Sequence, residues 1–151
     1  MKKVTIYALL GFLFFLNTAS MCSSDDSSSL NNQSDVINTA TSGTWKIILY
    51  NDSDVIKTSD FAGYNFTFNS NGVLSAVGVD LTIDGTWSVT DTNSSDDSID
   101  DLDFYIFFTS PVNFAELSDD WDIVSKTATK IELIDISGGN GGTDYLTFEK
   151  N

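Results

Sequence analysis

From Gly43 to Asn151 the chain alternates apolar and polar residues with a period of two, and turn residues separate the runs. Successive side chains of a strand point to opposite faces, so this pattern specifies half-buried strands and is incompatible with long amphipathic helices. Trp45, Ile47 and Leu49 share one face of Thr44–Tyr50; Tyr64, Phe66 and Phe68 share one face of Gly63–Asn69. Asn71-Gly72 carries the residue types of a type I′ hairpin turn, after which Val73–Val79 pairs back. Leu81–Thr90 keeps its alternation through Asp84-Gly85 and reads as one strand, although that dipeptide alone would suit a turn. Leu102–Thr109 places aromatic rings on both faces and ends before Pro111, which cannot donate to a ladder. Trp121–Ser125, Thr129–Ile136 and Asp144–Lys150 follow, the last two joined by a glycine-rich loop over 137–143; only Asn113–Asp120 reads as a helical turn. Eight strands with connections this short leave no room for helical crossovers. The expected fold is all-β, an antiparallel up-and-down barrel of about eight strands with one short helical turn, and an open sandwich is the alternative.

The first 21 residues form an export signal: Met1-Lys2-Lys3, an apolar run of 11 residues from Ile6 to Leu16, then small residues at Thr18, Ala19 and Ser20. The run is shorter than the roughly 20 residues that span a bilayer. Cys22, the chain's only cysteine, follows directly. This arrangement resembles a bacterial lipoprotein signal, which implies that Cys22 is lipidated and becomes the first residue of the mature chain. Ala19 and Met21 stand where that box usually has Leu and Gly or Ala; ordinary cleavage near Ala19-Ser20 is the alternative. Ser23-Ser24-Asp25-Asp26 resembles the acidic signal that sends lipoproteins of the Bacteroidetes to the cell surface. Residues 22–42 read as a Ser/Asp/Asn-rich tether with too little apolar surface to fold alone. Within it Val36 and Ile37 suit one short helical turn plugging a barrel end, with Ser34 as its cap.

Gly43-Thr44-Trp45 opens the first strand of the domain at 43–151, and Gly85-Thr86-Trp87 recurs mid-domain. With the aromatic run at 63–76, these features resemble the lipocalin-like (calycin-type) domains of small Bacteroidetes and Flavobacteria surface lipoproteins. The resemblance implies a barrel with Trp45 on its floor. The domain departs from classical lipocalins in being shorter and in lacking the disulfide and the Arg that packs on the floor Trp, departures that bear on the ligand cavity more than on the fold.

Residue types absent from the chain exclude several chemistries. The sequence has 22 acids against 7 Lys, no Arg and no His, for a formal net charge of −15. Nucleic-acid binding lacks its basic face, and His-dependent catalysis and imidazole metal sites lack their ligand. Removing the signal takes two lysines with it and leaves 5 Lys against 22 acids. An anionic membrane would repel such a chain, so contact with the bilayer rests on the lipid anchor alone. No cofactor is expected. The acidic loop 90–103 fails as an EF-hand, with Asp96 where Gly is required and Leu102 where Glu is required. Asp96, Asp97, Asp100 and Asp101 remain weak calcium candidates, and a solvated loop is the plainer reading. The glycine-rich loop has no GK[ST] or helix after it, so it is a hairpin connection rather than a phosphate cradle.

Trp45, Tyr64, Phe66, Phe68 and Trp87 should point into the barrel, filling it or lining a small-ligand cavity. Tyr105 and Phe107 lie on the opposite face of their strand from Phe104, Ile106 and Phe108, which makes them a candidate interaction face. Carboxylates are the only acid–base groups on offer (Asp84, Glu116, Asp119, Asp120, Asp122 and Glu132 among them), and a glycosidase would need two of them at a set separation in a cleft. Asp119, Asp120 and Asp122 are placed in an exposed turn. The expected function is non-enzymatic: an outer-membrane, cell-surface lipoprotein and monomer that binds a small hydrophobic ligand, a glycan or a protein. A structural envelope component without a small ligand is the alternative, and a carboxylate-dependent hydrolase is a third.

Overall fold

The computed structural model describes residues 30–91, 102–137 and 141–151. Helix α1 (Leu30–Ala40) leads into nine strands: β1 (Trp45–Asp52), β2 (Val55–Ile56), β3 (Asn65–Phe68), β4 (Val73–Val77), β5 (Thr82–Asp91), β6 (Leu102–Phe107), β7 (Asp119–Lys126), β8 (Lys130–Ile136) and β9 (Thr143–Lys150). A 3₁₀ turn at Thr58–Phe61 and the single-turn helix α2 (Val112–Ala115) complete the set. Every pairing is antiparallel, and consecutive strands from β3 to β9 are neighbours. β9 then pairs along β1, from Trp45↔Lys150 to Asn51↔Tyr145, and closes the sheet. The result is a closed eight-stranded antiparallel barrel with β2 as an extra short strand, which removes the edges an open sandwich would leave. The closure between β1 and β3 is a single bridge, Trp45↔Phe66; the 3₁₀ turn lies beside β1, where Tyr50 N donates to Thr58 Oγ1 at 2.9 Å and Lys57 N to the Tyr50 carbonyl at 2.9 Å.

Two turns differ from the sequence expectation. Gly72 has φ +84° but Asn71 does not have a positive φ, so the β3–β4 connection is not type I′. Asn69 N donates to the Val73 carbonyl and Gly72 N to the Asn69 carbonyl, the pattern of a three-residue loop closed by a left-handed glycine. The two-residue I′-like turn lies instead between β1 and β2, where Ser53 and Asp54 both have positive φ. Asp144 of β9 holds it, its carboxylate accepting from Ser53 N at 2.7 Å and from Ser53 Oγ at 3.2 Å.

The barrel is capped at both ends. Residues 30–40, expected within the tether, form a three-turn helix with Val36 and Ala40 fully buried; Ser34 lies inside it rather than capping it. Gln33 Nε2 donates to the Val89 carbonyl at 2.8 Å, and Lys126 pairs with Asp35, so α1 is pinned across one end. At the other end Phe114 of α2 packs edge-on against Phe61, Tyr64 and Phe108. The three indole N–H groups each donate to a carbonyl of an adjoining connection: Trp45 to Ala40 at 2.8 Å, Trp87 to Asn69 at 2.9 Å and Trp121 to Leu117 at 3.1 Å. Each tryptophan thus fills the core and fastens a connecting segment to it.

Candidate functional site

The barrel lumen is occupied by side chains. Trp45, Phe66, Phe68, Phe104 and Phe148 are at most 1% exposed and Trp87 is 5% exposed. Phe68 sits edge-on to Trp87, Phe104 and Phe148 at centroid distances of 5.1–5.4 Å. Tyr64 is half-buried at the α2 end, 5.0 Å from Phe114, so of the five inward candidates four are in the core and one lies on its rim. Trp121, Phe104, Phe108 and Phe148 complete the filling; their inward parity within the strand runs was the available signal.

Tyr105 and Phe107 stand on the outer wall, 39% and 41% exposed, with ring planes 9° apart and centroids 6.4 Å apart. The register explains their neighbours. Phe107 lies across from Thr86, which lies across from Val73, and a groove of about 280 Å³ runs there between Val73, Asp84, Thr86, Phe107 and Thr109. Tyr105 lies across from Ser88 on one side and Asp120 on the other, and Asp103 lies directly across from Asp122. The Asp103 carboxyl is raised by partial burial and by the nearby Asp120 and Asp122 charges.

Lysines are placed elsewhere. β4, β5 and β6 carry none, and Lys126 at the end of β7 is committed to Asp35. Lys46 pairs with Glu149 at 2.9 Å, Lys57 with Asp52 at 2.5 Å and Glu116 at 3.0 Å, and Lys130 with Glu132 at 3.5 Å. Lys150 lies over the Trp45 ring, 5.1 Å from its centroid. A second outer groove, about 290 Å³ and missed from sequence, lies between Leu49, Val124, Glu132, Ile134, Tyr145 and Thr147. Bulges in β1 and β7 flank it, and alternation alone does not reveal a bulge.

The candidate acid–base carboxylates do not assemble in one cleft. Asp84 accepts from Ser75 Oγ, Glu116 pairs with Lys57, and Glu132 is lowered by its Ser125 hydrogen bond. Asp119, Asp120 and Asp122 lie in β7, not in a turn, because α2 is short enough for the strand to begin at Asp119. Asp119 has inward parity at the α2 end, and its carboxyl is pushed up to about 6 by burial, Asp120 and Asp135. Tyr50 Oη donates to the Glu116 carbonyl at 2.7 Å, and burial pushes its phenol up. Among the described residues no three Asp, Glu or Cys side chains gather to hold a metal ion. Cys22, Ser23, Ser24, Asp25 and Asp26, and the calcium candidates Asp96, Asp97, Asp100 and Asp101, lie outside the described residues.

With the closed barrel and its capped ends in place, a solved counterpart can be named. The fold is similar to that of a DUF4847 family protein. That protein, from Bacteroides vulgatus, is known from a crystal structure that superposes with a TM-score of 0.51 at 18% identity, covering 77% of this chain and 97% of that one. No family model and no curated protein matches the chain. At this identity the likeness to the DUF4847 protein concerns the fold alone, so the chemistry of this chain rests on its own residues.

Proposed function

We propose that the chain is a lipid-anchored, non-catalytic binding protein of the cell surface, belonging with the lipocalin-like domains of small Bacteroidetes lipoproteins, and that it engages a protein partner through the outer wall of the barrel. One observation carries this reading: the lumen is filled, while the Tyr105/Phe107 pair is presented outward on a wall without a lysine. Side chains occupy the volume that a small hydrophobic ligand would need. Lys150 over Trp45 supports the lipocalin likeness, since a lysine from the last strand stands where those barrels place an arginine on the floor tryptophan. Placement at the surface rests on Cys22 and the Ser23–Asp26 stretch.

The test is crosslinking on intact cells followed by recovery of the full-length chain. Wild type and a Val55→Asp control should bring down the same partner, Phe107→Asp should not, and all three should share one Tm. Equal recovery by Phe107→Asp overturns the wall as the working surface. Cys22→Ser should move the protein from the membrane fraction to the soluble one, and its retention on membranes overturns the anchor.

A further inference from the structure

Resting on that reading, we propose that the segment bound by this wall is cationic: an extended Lys- or Arg-bearing stretch of a partner protein that lays a basic side chain against the Tyr105 and Phe107 rings and sets its charge among Asp103, Asp120 and Asp122. The aromatic pair supplies the surface. Two large rings held parallel and about 40% exposed on the outer side of β6 contribute little to the core, whose filling is complete without them. The groove beside Phe107 is lined by Val73, Thr86 and Thr109, small side chains that leave a long aliphatic stem room to lie between strands.

Charge decides which partner fits. Asp103 and Asp122 face each other directly across β6 and β7, and Asp120 is the direct cross-strand neighbour of Tyr105. Like charges placed opposite each other on a sheet are destabilising, so folding alone does not favour this arrangement. Elsewhere on the barrel Glu149 is matched by Lys46, Asp52 and Glu116 by Lys57, and Glu132 by Lys130. Asp135 and Asp144, also opposed across β8 and β9, have no lysine among the described residues but accept hydrogen bonds from Ser137 and Ser53. Among the described residues none supplies a cation to the Tyr105/Phe107 wall. An ammonium or guanidinium group would neutralise the carboxylates and gain the attraction of the ring faces at once. A neutral glycan would use the rings but leave the carboxylates unmatched.

Full-length chain in detergent, titrated with fluorescein-labelled deca-lysine, tests the idea. The wild-type chain should bind it, and Tyr105→Ser with Phe107→Ser should weaken binding about tenfold. Asp120→Asn with Asp122→Asn should weaken it comparably. Asp54→Asn with Asp60→Asn removes the same charge near β1, across the barrel from β6, and should change binding by less than about twofold. Equal weakening by both charge pairs, with no effect of ring removal, overturns the proposal, because binding would then follow net charge alone. Ring-dependent binding of a neutral hexasaccharide without ring-dependent binding of deca-lysine overturns it in favour of a glycan. Loss of the cellular partner in Phe107→Asp alongside ring-independent deca-lysine binding overturns the cationic segment while leaving the wall as the working surface.

Discussion

At the residue scale, two carboxylates sit in positions that cost the fold something. Asp54 occupies the second position of the β1–β2 turn with φ +71°. A side chain there meets the steric penalty that glycine avoids, and the turn is kept by the bonds Ser53 donates to the Asp144 carboxylate rather than by Asp54 itself. Asp54→Gly should therefore raise stability by about 0.5–1 kcal/mol in urea unfolding, less the extra freedom glycine gives the unfolded chain. Asp119 is the second. Its folded-state value of about 6 lies above the ordinary 3.8, so between those values the native state holds a proton that the unfolded chain has lost. Stability attributable to this group must fall as pH rises from about 4 to 6 and level off above that window. Asp119→Asn keeps a neutral side chain throughout. The stability difference between variant and wild type should grow across that window in favour of the variant, and a pH-independent difference would show that Asp119 titrates normally.

At the scale of elements, α1 is the piece whose importance exceeds its appearance in the sequence. It is polar overall, yet Val36 and Ala40, four residues apart, form with the half-buried Ile37 a narrow apolar stripe against the barrel end. Val36→Asp would place a carboxylate at a fully buried position and should cost at least about 3 kcal/mol, whereas Asn38→Asp, on the exposed side, should be nearly neutral. Equal behaviour of the two in urea unfolding would mean that the helix does not seal the barrel. The same helix shows what was legible beforehand. Strands could be read because a period of two dominates most runs, and Leu81–Thr90 is one strand through Asp84-Gly85 as its alternation required. In β1 the bulge breaks the period, so Tyr50 faces the core and Leu49, expected beside Trp45 and Ile47, lines the outer groove instead. In Leu81–Thr90, Gly85 is the one small inward position, and a Cβ on it would meet the Phe107 carbonyl and the Phe108 ring. A short apolar stripe of Val36, Ile37 and Ala40 in a Ser/Asn-rich stretch is too weak to mark an 11-residue helix, because its order comes from tertiary contacts with Trp45, Val89 and Lys126. The Ser53-Asp54 turn was hidden for the complementary reason. It lacks the glycine that advertises positive φ, and Asp144, which holds it, is 91 residues away. In the candidate site, the outward aspect of Tyr105 and Phe107 followed from parity, but the run of carboxylates beside them depends on the β6–β7 register, which a single sequence does not specify.

At the scale of the whole molecule, the barrel has two unlike ends and a consequence for orientation. α1 lies across the end formed by the start of β1 and the ends of β5 and β7, through Trp45, Val89 and Lys126. The opposite end carries exposed aliphatic residues on its connections, Val55 and Ile56 on β2, Val79 before β5 and Val112 on α2. If Cys22 carries the lipid, only eight residue steps separate the anchor from Leu30, a reach of at most about 28 Å even fully extended. The α1 end is then held near the bilayer, the Tyr105/Phe107 wall rises beside it, and the Val79/Val112 end faces outward. Lipidation also consumes the chain's only thiol, so a cysteine introduced elsewhere becomes the single reactive one. Val112→Cys, at a position 78% exposed, should react with a membrane-impermeant maleimide on intact cells as fast as in detergent extracts. A cysteine at Asn38, on the exposed side of α1, should react more slowly on cells than after extraction. Equal rates at both positions on intact cells would mean that the anchor does not orient the barrel, and labelling of neither until lysis would place the protein on the inner side of the envelope.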